Sequence, residues 1–456
     1  MPTVCAVLNA LAAAATTAWV ARPDRAADAA TVTFLAYLTA TMIARAWQRP
    51  ASHLPVVRVV QPLVIAPGAV VASAAVCSML GVGLGATTWL IVLVVATTLS
   101  GLTYALCEGA ARSHGLRIAL VGSLDVAQRL AADLERARAS YRLIGRVAAP
   151  GDGGGPVRVL SDLAGLRETV VRERIDLLVV GNGMSRIPVF DALAECLDLQ
   201  VQYTELSAFY EDVFGNVATA EINVAWFAHL ASAGARHPSP AAKRVVDVGL
   251  ALVLALLTLP IVAAAAALIR MSGGPAVFAQ LRIGEGGRPF RLYKLRTMRV
   301  GSDERAAWAQ DRDPRTTPVG RFLRRMHIDE LPQLWNVLRG DMSLVGPRPE
   351  QIEFVVRLEA TLPFYQRRHL IRPGLTGWAQ VRCGYAGSDA GAAWKLCNDL
   401  YYVKYRSLGL DLLVLLETVG VVLLGPGTAA RIPLTPWVQS EPMAEAVVAD
   451  QGRIAR

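Results

Sequence analysis

No Cys-x-x-Cys pair occurs in this chain: its six cysteines stand apart at Cys5, Cys77, Cys107, Cys196, Cys383 and Cys397. That absence excludes a thiolate zinc module and a disulfide framework, and the thiols read as small buried hydrophobes of a reducing compartment. Charge is also scarce. Charged residues make up 18% of the chain against 53% hydrophobic, and the mean hydropathy is +0.38. Such a balance is too apolar for an ordinary soluble protein and points to a membrane protein with soluble parts. The first apolar stretch, residues 4–21, has no basic segment before it and is too long for the core of a cleaved signal peptide. There is no intact G-x-G-x-x-G and no Tyr-x-x-x-Lys pair, which counts against a membrane-anchored nucleotide-sugar dehydratase or epimerase. Net charge is +9, yet without zinc spacing or aromatic-basic interleaving the partner implied is anionic lipid or phosphate, not nucleic acid.

What is present divides the 456 residues into three parts and a tail. Four apolar segments, about 4–21, 29–47, 59–80 and 82–107, approach the roughly 20 residues needed to cross a bilayer. They predict a four-helix transmembrane region over 1–110. Arg45, Arg49 and Arg58, with Arg112 and Arg117 after the last segment, favour both ends of this bundle in the cytoplasm. Residues 111–235 alternate strand and helix patterns. Arg117–Val121 is a short apolar strand ended by Gly122, residues 124–137 carry Leu124, Ala127, Leu130 and Leu134 on one helical face, and residues 175–180 form another strand. This predicts a small parallel α/β domain of degenerate Rossmann-like character. Only Gly122 of the three fingerprint glycines is present, with Leu124 and Ala127 at the other two places, so no bound NAD is expected. Residues 150–156 read as a flexible loop, 236–242 as a linker, and 427–456 as a mobile tail.

The last domain, 240–426, carries the chemistry. Its apolar run, residues 248–269, has Pro260 in the middle and Lys243, Arg244 and Arg270 at its flanks. A helix bent at Pro260 would keep all three cations at one leaflet, whereas a kinked span would not. Residues 280–298 read as a β-hairpin that concentrates Arg282, Lys294 and Arg296, and Arg315, Arg321, Arg324 and Arg325 extend the positive field to the acidic pair. Guanidinium forks suit phosphate oxygens, and Arg282, Lys294, Arg296, Arg315 and Arg325 are the phosphate-binding candidates. Asp329 and Glu330 then open a short amphipathic helix. Two adjacent acids at a helix start are favourable as caps. Among so many cations they also suit metal and phosphoryl chemistry, with one carboxylate holding Mg²⁺ while its neighbour attacks phosphorus. Residues 408–424 read as an amphipathic surface helix interrupted by Asp411 and Glu417.

Taken in order, Lys243-Arg244-x-x-Asp247, the Pro260-broken helix, Gln280-x-Arg282-x-Gly284, Tyr293-Lys294-Leu-Arg296, Asp329-Glu330-Leu-Pro-Gln-Leu-x-Asn336 through Gly346-Pro347-Arg348-Pro349, and Arg372-Pro-Gly-Leu-Thr-Gly-Trp378-Ala-Gln-Val resemble the bacterial sugar transferase family of monotopic phosphoglycosyl transferases. The front half resembles its large form, the exopolysaccharide polyprenyl glycosylphosphotransferases. The resemblance implies transfer of a sugar 1-phosphate from a UDP-sugar to undecaprenyl phosphate, with release of UMP, through a phosphosugar–aspartate intermediate. It implies Asp329 as nucleophile, Glu330 as the Mg²⁺ ligand, and Arg348 as a further phosphate-binding residue. The flanking cations, Pro260 and a soluble α/β domain before the run favour a re-entrant helix with both ends cytoplasmic, so the catalytic domain is expected on the cytoplasmic face of a bacterial inner membrane. Where many members have Asn-Gly-Arg after the Trp-Ala-Gln-Val, this chain has Arg382-Cys383-Gly384, and Arg382 is the candidate replacement. Tyr385, Lys395, Asp399 and Tyr402 are candidate sugar or lipid contacts. Self-association is left open, and an inactive membrane scaffold is the non-enzymatic alternative.

Overall fold

A computed structural model describes residues 115–424, apart from 138, 140, 149–153, 182–185, 200, 234–237, 300, 302–313 and 384–388. The four expected membrane segments, the tail 427–456, Tyr385 and most of the loop 150–156 lie outside the described residues. The chain divides into two compact units, Met1–Gly215 and Asn216–Arg456.

In the first unit, β1 (Leu116–Val121), α1 (Leu124–Arg136), β2 (Tyr141–Val147), β3 (Val159–Ser161), α2 (Leu166–Glu173), β4 (Leu177–Val180), α3 (Arg186–Ala194), β5 (Gln202–Glu205) and α4 (Leu206–Phe214) follow one another. The strands form one parallel sheet in the order β3-β2-β1-β4-β5. The central strand is apolar on both faces, with Ile118, Ala119, Leu120 and Val121 fully buried, as a sheet covered on two sides requires. Ala127, Leu130 and Leu134 are the buried face of α1, as the helical spacing predicts. Strand order reverses between β1 and β4, where a doubly wound sheet offers its ligand crevice. There the Leu124 side chain lies so close to Gly155 that a Cβ on the glycine would fall 2.5 Å from Leu124 Cδ2. Leucine thus fills space beside β1 that the fingerprint keeps open with glycine.

The second unit begins about twenty residues before the expected linker. Val217 N–H donates to Cys397 O at 3.0 Å. Trp226, on α5 (Val224–Ala233), is buried with the Lys404 ammonium 5.2 Å from its ring. Both contacts are made within the second unit, to which residues 216–233 belong.

Next comes α6 (Pro240–Met271), capped by the Ser239 hydroxyl, which accepts from Ala242 N–H at 3.1 Å. The helix is one continuous element with Pro260 inside it, longer than the expected 248–269. It is the one described helix long and apolar enough to cross a membrane. Its two ends are anchored in the rest of the second unit. Near the start, Asp247 accepts from the Ser343 hydroxyl (2.8 Å) and Leu344 N–H (3.2 Å), and Ala251 is fully buried. Near the end, Ala265 and Ile269 pack with Ala276, Leu295 and Leu323. Between them Leu256, Leu257, Leu259 and Ile261 are exposed. Pro260 has no N–H to donate, and the Thr258 hydroxyl donates back to Leu254 O at 2.7 Å, an interaction that favours helix bending.

The rest of the unit comprises the antiparallel hairpin β6 (Val277–Ile283) and β7 (Pro289–Leu295), then α7 (Pro318–Arg325), α8 (Gln333–Arg339), β8 (Ser343–Val345), α9 (Ile352–Thr361), β9 (Gly374–Thr376), α10 (Trp378–Cys383), α11 (Asp389–Tyr405) and α12 (Leu408–Leu424). The acids of α12 do not form an outer polar face. Asp411 is buried, accepting from Tyr402 Oη at 2.5 Å and pairing with Lys243 Nζ at 3.0 Å. Glu417 faces the buried Arg382. The apolar positions Leu410, Leu413 and Val414 share that inner side, and sequence periodicity did not reveal that partners for the acids wait there.

Candidate active site

The acid pair sits between two helices on a 3-10 turn, Ile328–Glu330, rather than inside the helix that follows. α7 ends at Arg325, and His327 adopts the left-handed conformation (φ 55°, ψ 17°) that turns the chain into the acids, a strain typical of functional segments. α8 then starts after Pro332, so neither acid is its cap. Asn336 on α8 is fully buried, takes Tyr293 N–H at 3.1 Å and donates to Arg291 O at 2.7 Å. One side chain thereby locks strand β7 to the helix behind the acids and places Lys294 opposite Glu330.

Lys294 Nζ is 2.9 Å from Glu330 Oε1, and Arg348 Nη2 is 2.7 Å from the same oxygen. Burial works against the charge on Glu330, but Arg348 and Lys294 outweigh it and hold its carboxyl well below the usual carboxylate range. Asp329 is buried too. Burial, then the charge of Glu330, raise its pKa against the pull of Lys294, Arg324 and Arg348. Among the described residues no hydrogen bond reaches its carboxylate, which leaves both oxygens available. Burial lowers the pKa of Lys294, opposed chiefly by Glu330.

Arg282 belongs to the same cluster. Its Nη2 donates to Gln280 Oε1 at 2.8 Å and its Nη1 to Pro349 O at 3.4 Å, while its buried Nε has no partner among the described residues. Burial brings its pKa down to about 10, with Glu350 opposing, so it remains a cation at neutral pH.

The other candidates lie elsewhere. Arg296 Nη2 donates to Ile269 O, Gly273 O and the Ser272 hydroxyl, closing the end of α6. Arg382 is buried with its guanidinium 5.0 Å from the Trp378 ring centre, facing Glu417. Arg325 is exposed in the last turn of α7, and Arg315 lies beside the short bridge between Met298 and Thr316. Neither is among the groups that chiefly set the charge of the acids.

Sequence reasoning assigned no role to Gln333 or Arg368 and did not separate Arg324 from Arg325. Of the cations expected on α7, Arg324, bonded to the Thr297 hydroxyl at 2.9 Å, is the one that acts on Asp329, rather than its neighbour Arg325. Gln333 is buried with its Nε2 unpartnered, one turn beyond the acids. Arg368 forms a buried ion pair with Asp399 at 2.8 Å.

The loop carrying Arg348 is set by close backbone approach. Gly346 N–H donates to Thr376 O and Gly374 N–H to Pro347 O, each at 2.9 Å. A Cβ on Gly374 would stand 2.1 Å from Gly346 N, so only glycine fits. This packing of β9 on the Gly-Pro-Arg-Pro turn aims Arg348 at Glu330.

The family profile described as "Bacterial sugar transferase" matches residues 239–425. The UDP-N-acetylgalactosamine-undecaprenyl-phosphate N-acetylgalactosaminephosphotransferase of Aeromonas hydrophila is 41% identical over 240 residues, 52% of this chain and 55% of that protein. The UDP-glucose:undecaprenyl-phosphate glucose-1-phosphate transferase of Caulobacter vibrioides is 48% identical over 181 residues, 39% of this chain and 68% of that protein. An Escherichia coli protein of the same name is 38% identical over 183 residues, 39% of each chain. The chain thus spans about half the length of the Aeromonas relative and two thirds of the Caulobacter one. It belongs to the bacterial sugar transferase family.

Proposed function

We propose that this chain transfers a sugar 1-phosphate from a UDP-sugar to undecaprenyl phosphate and releases UMP, as a membrane step of exopolysaccharide synthesis. The observation that carries the reading is a buried carboxylate, Asp329, with no hydrogen-bonded partner among the described residues, beside a carboxylate clamped by Lys294 and Arg348. Asp329 attacks the sugar-bearing phosphorus of the UDP-sugar. A P–O bond to the aspartate forms, the P–O bond to the bridging oxygen breaks, and UMP leaves with that oxygen. An oxygen of undecaprenyl phosphate then attacks the same phosphorus and displaces the Asp329 carboxylate, giving the lipid diphosphate sugar. Splitting one displacement into two lets a single site serve two large substrates in turn. Arg348, Lys294, Arg282 and Arg324 neutralise the phosphoryl oxygens, which is where charge builds during transfer.

The acids fit a Mg²⁺ ion held by one or two carboxylates and completed by substrate phosphate. Glu330 Oε1 is engaged by two cations, but Oε2 has only a 3.5 Å contact with Arg348 Nη1. Glu330 would hold the ion, which when bound supplies charge neutralisation at the diphosphate. Among the described residues no cluster of three or more His, Cys, Asp or Glu offers an all-protein cage.

The middle of α6, exposed and apolar between two anchored ends, dips into the bilayer as a re-entrant helix bent at Pro260, with both ends at the cytoplasmic leaflet. Such a placement would bring the acids to the surface where a polyprenyl phosphate presents its headgroup. Incubation with a panel of UDP-sugars, undecaprenyl phosphate and Mg²⁺ tests the reading. UMP and a lipid-linked diphosphate sugar should form together with at least one donor; no UMP from any donor would refute it.

A further inference from the structure

The segment that aims Arg348 is held in an uncommon way. Pro347 and Pro349 have no N–H, so the turn is fixed largely through its carbonyls. All four are taken. Gly374 N–H donates to Pro347 O at 2.9 Å, Arg368 Nη2 to Arg348 O at 2.9 Å, Arg282 Nη1 to Pro349 O at 3.4 Å, and Ile283 N–H to Glu350 O at 3.1 Å. Two of these donors are backbone groups and one is an arginine of the site itself. Arg368 differs from them. It is 3% exposed and touches neither acid.

Its environment is built to hold it still. Arg368 Nε and Nη2 reach Asp399 Oδ2 at 3.0 and 2.8 Å, and Nη1 donates to the Tyr365 hydroxyl oxygen at 2.8 Å. Both members of the ion pair are almost fully withdrawn from water. A buried ion pair is a weak device for stability, because apolar side chains of the same volume usually serve as well. A planar guanidinium fixed on two sides does offer something they cannot: a rigid, charge-assisted hydrogen bond to a chosen carbonyl.

We propose that Arg368 is a positioning residue: clamped by Asp399 and Tyr365, it fixes the backbone of Arg348 and so sets where the Arg348 guanidinium meets Glu330 and the transferring phosphate. The inference rests on the reading of Arg348 as a phosphate-handling group.

The test uses the full chain in membranes. It compares Arg368→Lys, Arg368→Gln, Tyr365→Phe, Arg348→Lys and the pair Arg348→Lys with Arg368→Lys. Misplacing a group by about 1 Å can lower a rate on the order of a hundredfold. Arg368→Lys should therefore lower kcat for UMP formation by roughly ten- to a hundredfold, and Tyr365→Phe by a few-fold. The KM for the UDP-sugar should stay within about threefold, the same split that Arg348→Lys gives. Lysine should retain more activity than glutamine. In the Arg348→Lys background, Arg368→Lys should add much less than its own factor, because both act through one group.

Losses that multiply in full overturn the proposal. So does an unchanged kcat with fewer active molecules, counted as UMP released per chain without lipid acceptor. If Arg368→Lys does not fold, Tyr365→Phe carries the same comparison, since it removes one acceptor and leaves the ion pair. Wild-type turnover in Arg348→Lys would sink the role of Arg348 itself and this inference with it. A slow Arg348→Lys with an independent Arg368→Lys would sink this inference alone.

Discussion

Gly374→Ala is the most revealing conservative change this fold permits. The new Cβ would stand 2.1 Å from Gly346 N, 2.3 Å from Thr376 O and 2.6 Å from Gly346 O. All three are backbone atoms, so no rotamer change relieves the clash. Reaching an ordinary contact of 3.4 Å requires β8 and β9 to part by about 1.3 Å. That movement would break the bonds from Gly374 N–H to Pro347 O and from Gly346 N–H to Thr376 O, about 1 kcal/mol each. Overpacking costs about 1–3 kcal/mol more. The expected destabilisation is therefore about 3–5 kcal/mol. Arg348 would shift with the turn, lowering the rate by up to about a hundredfold. Gly420→Ala is the control: nothing lies within 4 Å of its added Cβ, and alanine favours a helix by up to about 1 kcal/mol. Thermal unfolding and UMP release of both variants provide the assay. A Gly374→Ala protein as stable and as active as the parent would refute the claim that backbone approach aims Arg348.

Three further outcomes are expected. A truncation starting at residue 216 should unfold at higher temperature and retain more activity than one starting at 240, because Trp226 packs under Lys404; equal behaviour would remove that segment from the catalytic unit. Burial pushes Glu417 up to about 7 against the charge of Arg382, so the folded chain binds more protons than the unfolded one between a normal glutamate value of about 4.3 and about 7. Stability from this group is full below that window and is lost as pH rises through it; Glu417→Gln should therefore raise the melting temperature more at pH 8 than at pH 5, and an equal effect at both would count against it. Single cysteines near Ser239 and Ser272, in a background without the native six, should both stay shielded from an impermeant reagent until cells are permeabilised; labelling of one from outside would make α6 an ordinary span.

Much of this architecture is legible in the sequence because local pattern and tertiary role agree. The apolar run at Arg117–Val121 lies in a strand whose residues 118–121 are buried on both faces, and the expected hairpin at 280–298 forms over 277–295 because alternating side chains suit one. The adjacency of Asp329 and Glu330 among cations likewise marks the cluster in which Lys294 and Arg348 meet Glu330. Partner choice is less legible. Arg296 and Arg348 look alike in sequence, yet one closes the end of α6 and the other pairs with Glu330. Arg324 and Arg325 are neighbours on α7, and the helical turn alone decides which acts on Asp329. Asp411 and Glu417 resemble polar breaks in an apolar helix because their partners, Lys243 and Arg382, come from elements about 35 to 168 residues away. Pairings of that range follow from the packing of helices, which residue spacing does not encode.

The central claim is that Asp329 becomes covalently linked to the phosphosugar. Full-length protein incubated with its UDP-sugar and Mg²⁺, without lipid acceptor, should release one equivalent of UMP per active chain. The peptide containing Asp329 should gain the mass of the sugar phosphate, and adding undecaprenyl phosphate should discharge it. Asp329→Asn should show none of these events. UMP that appears only after the lipid is added, or a label on any other residue, would contradict the account.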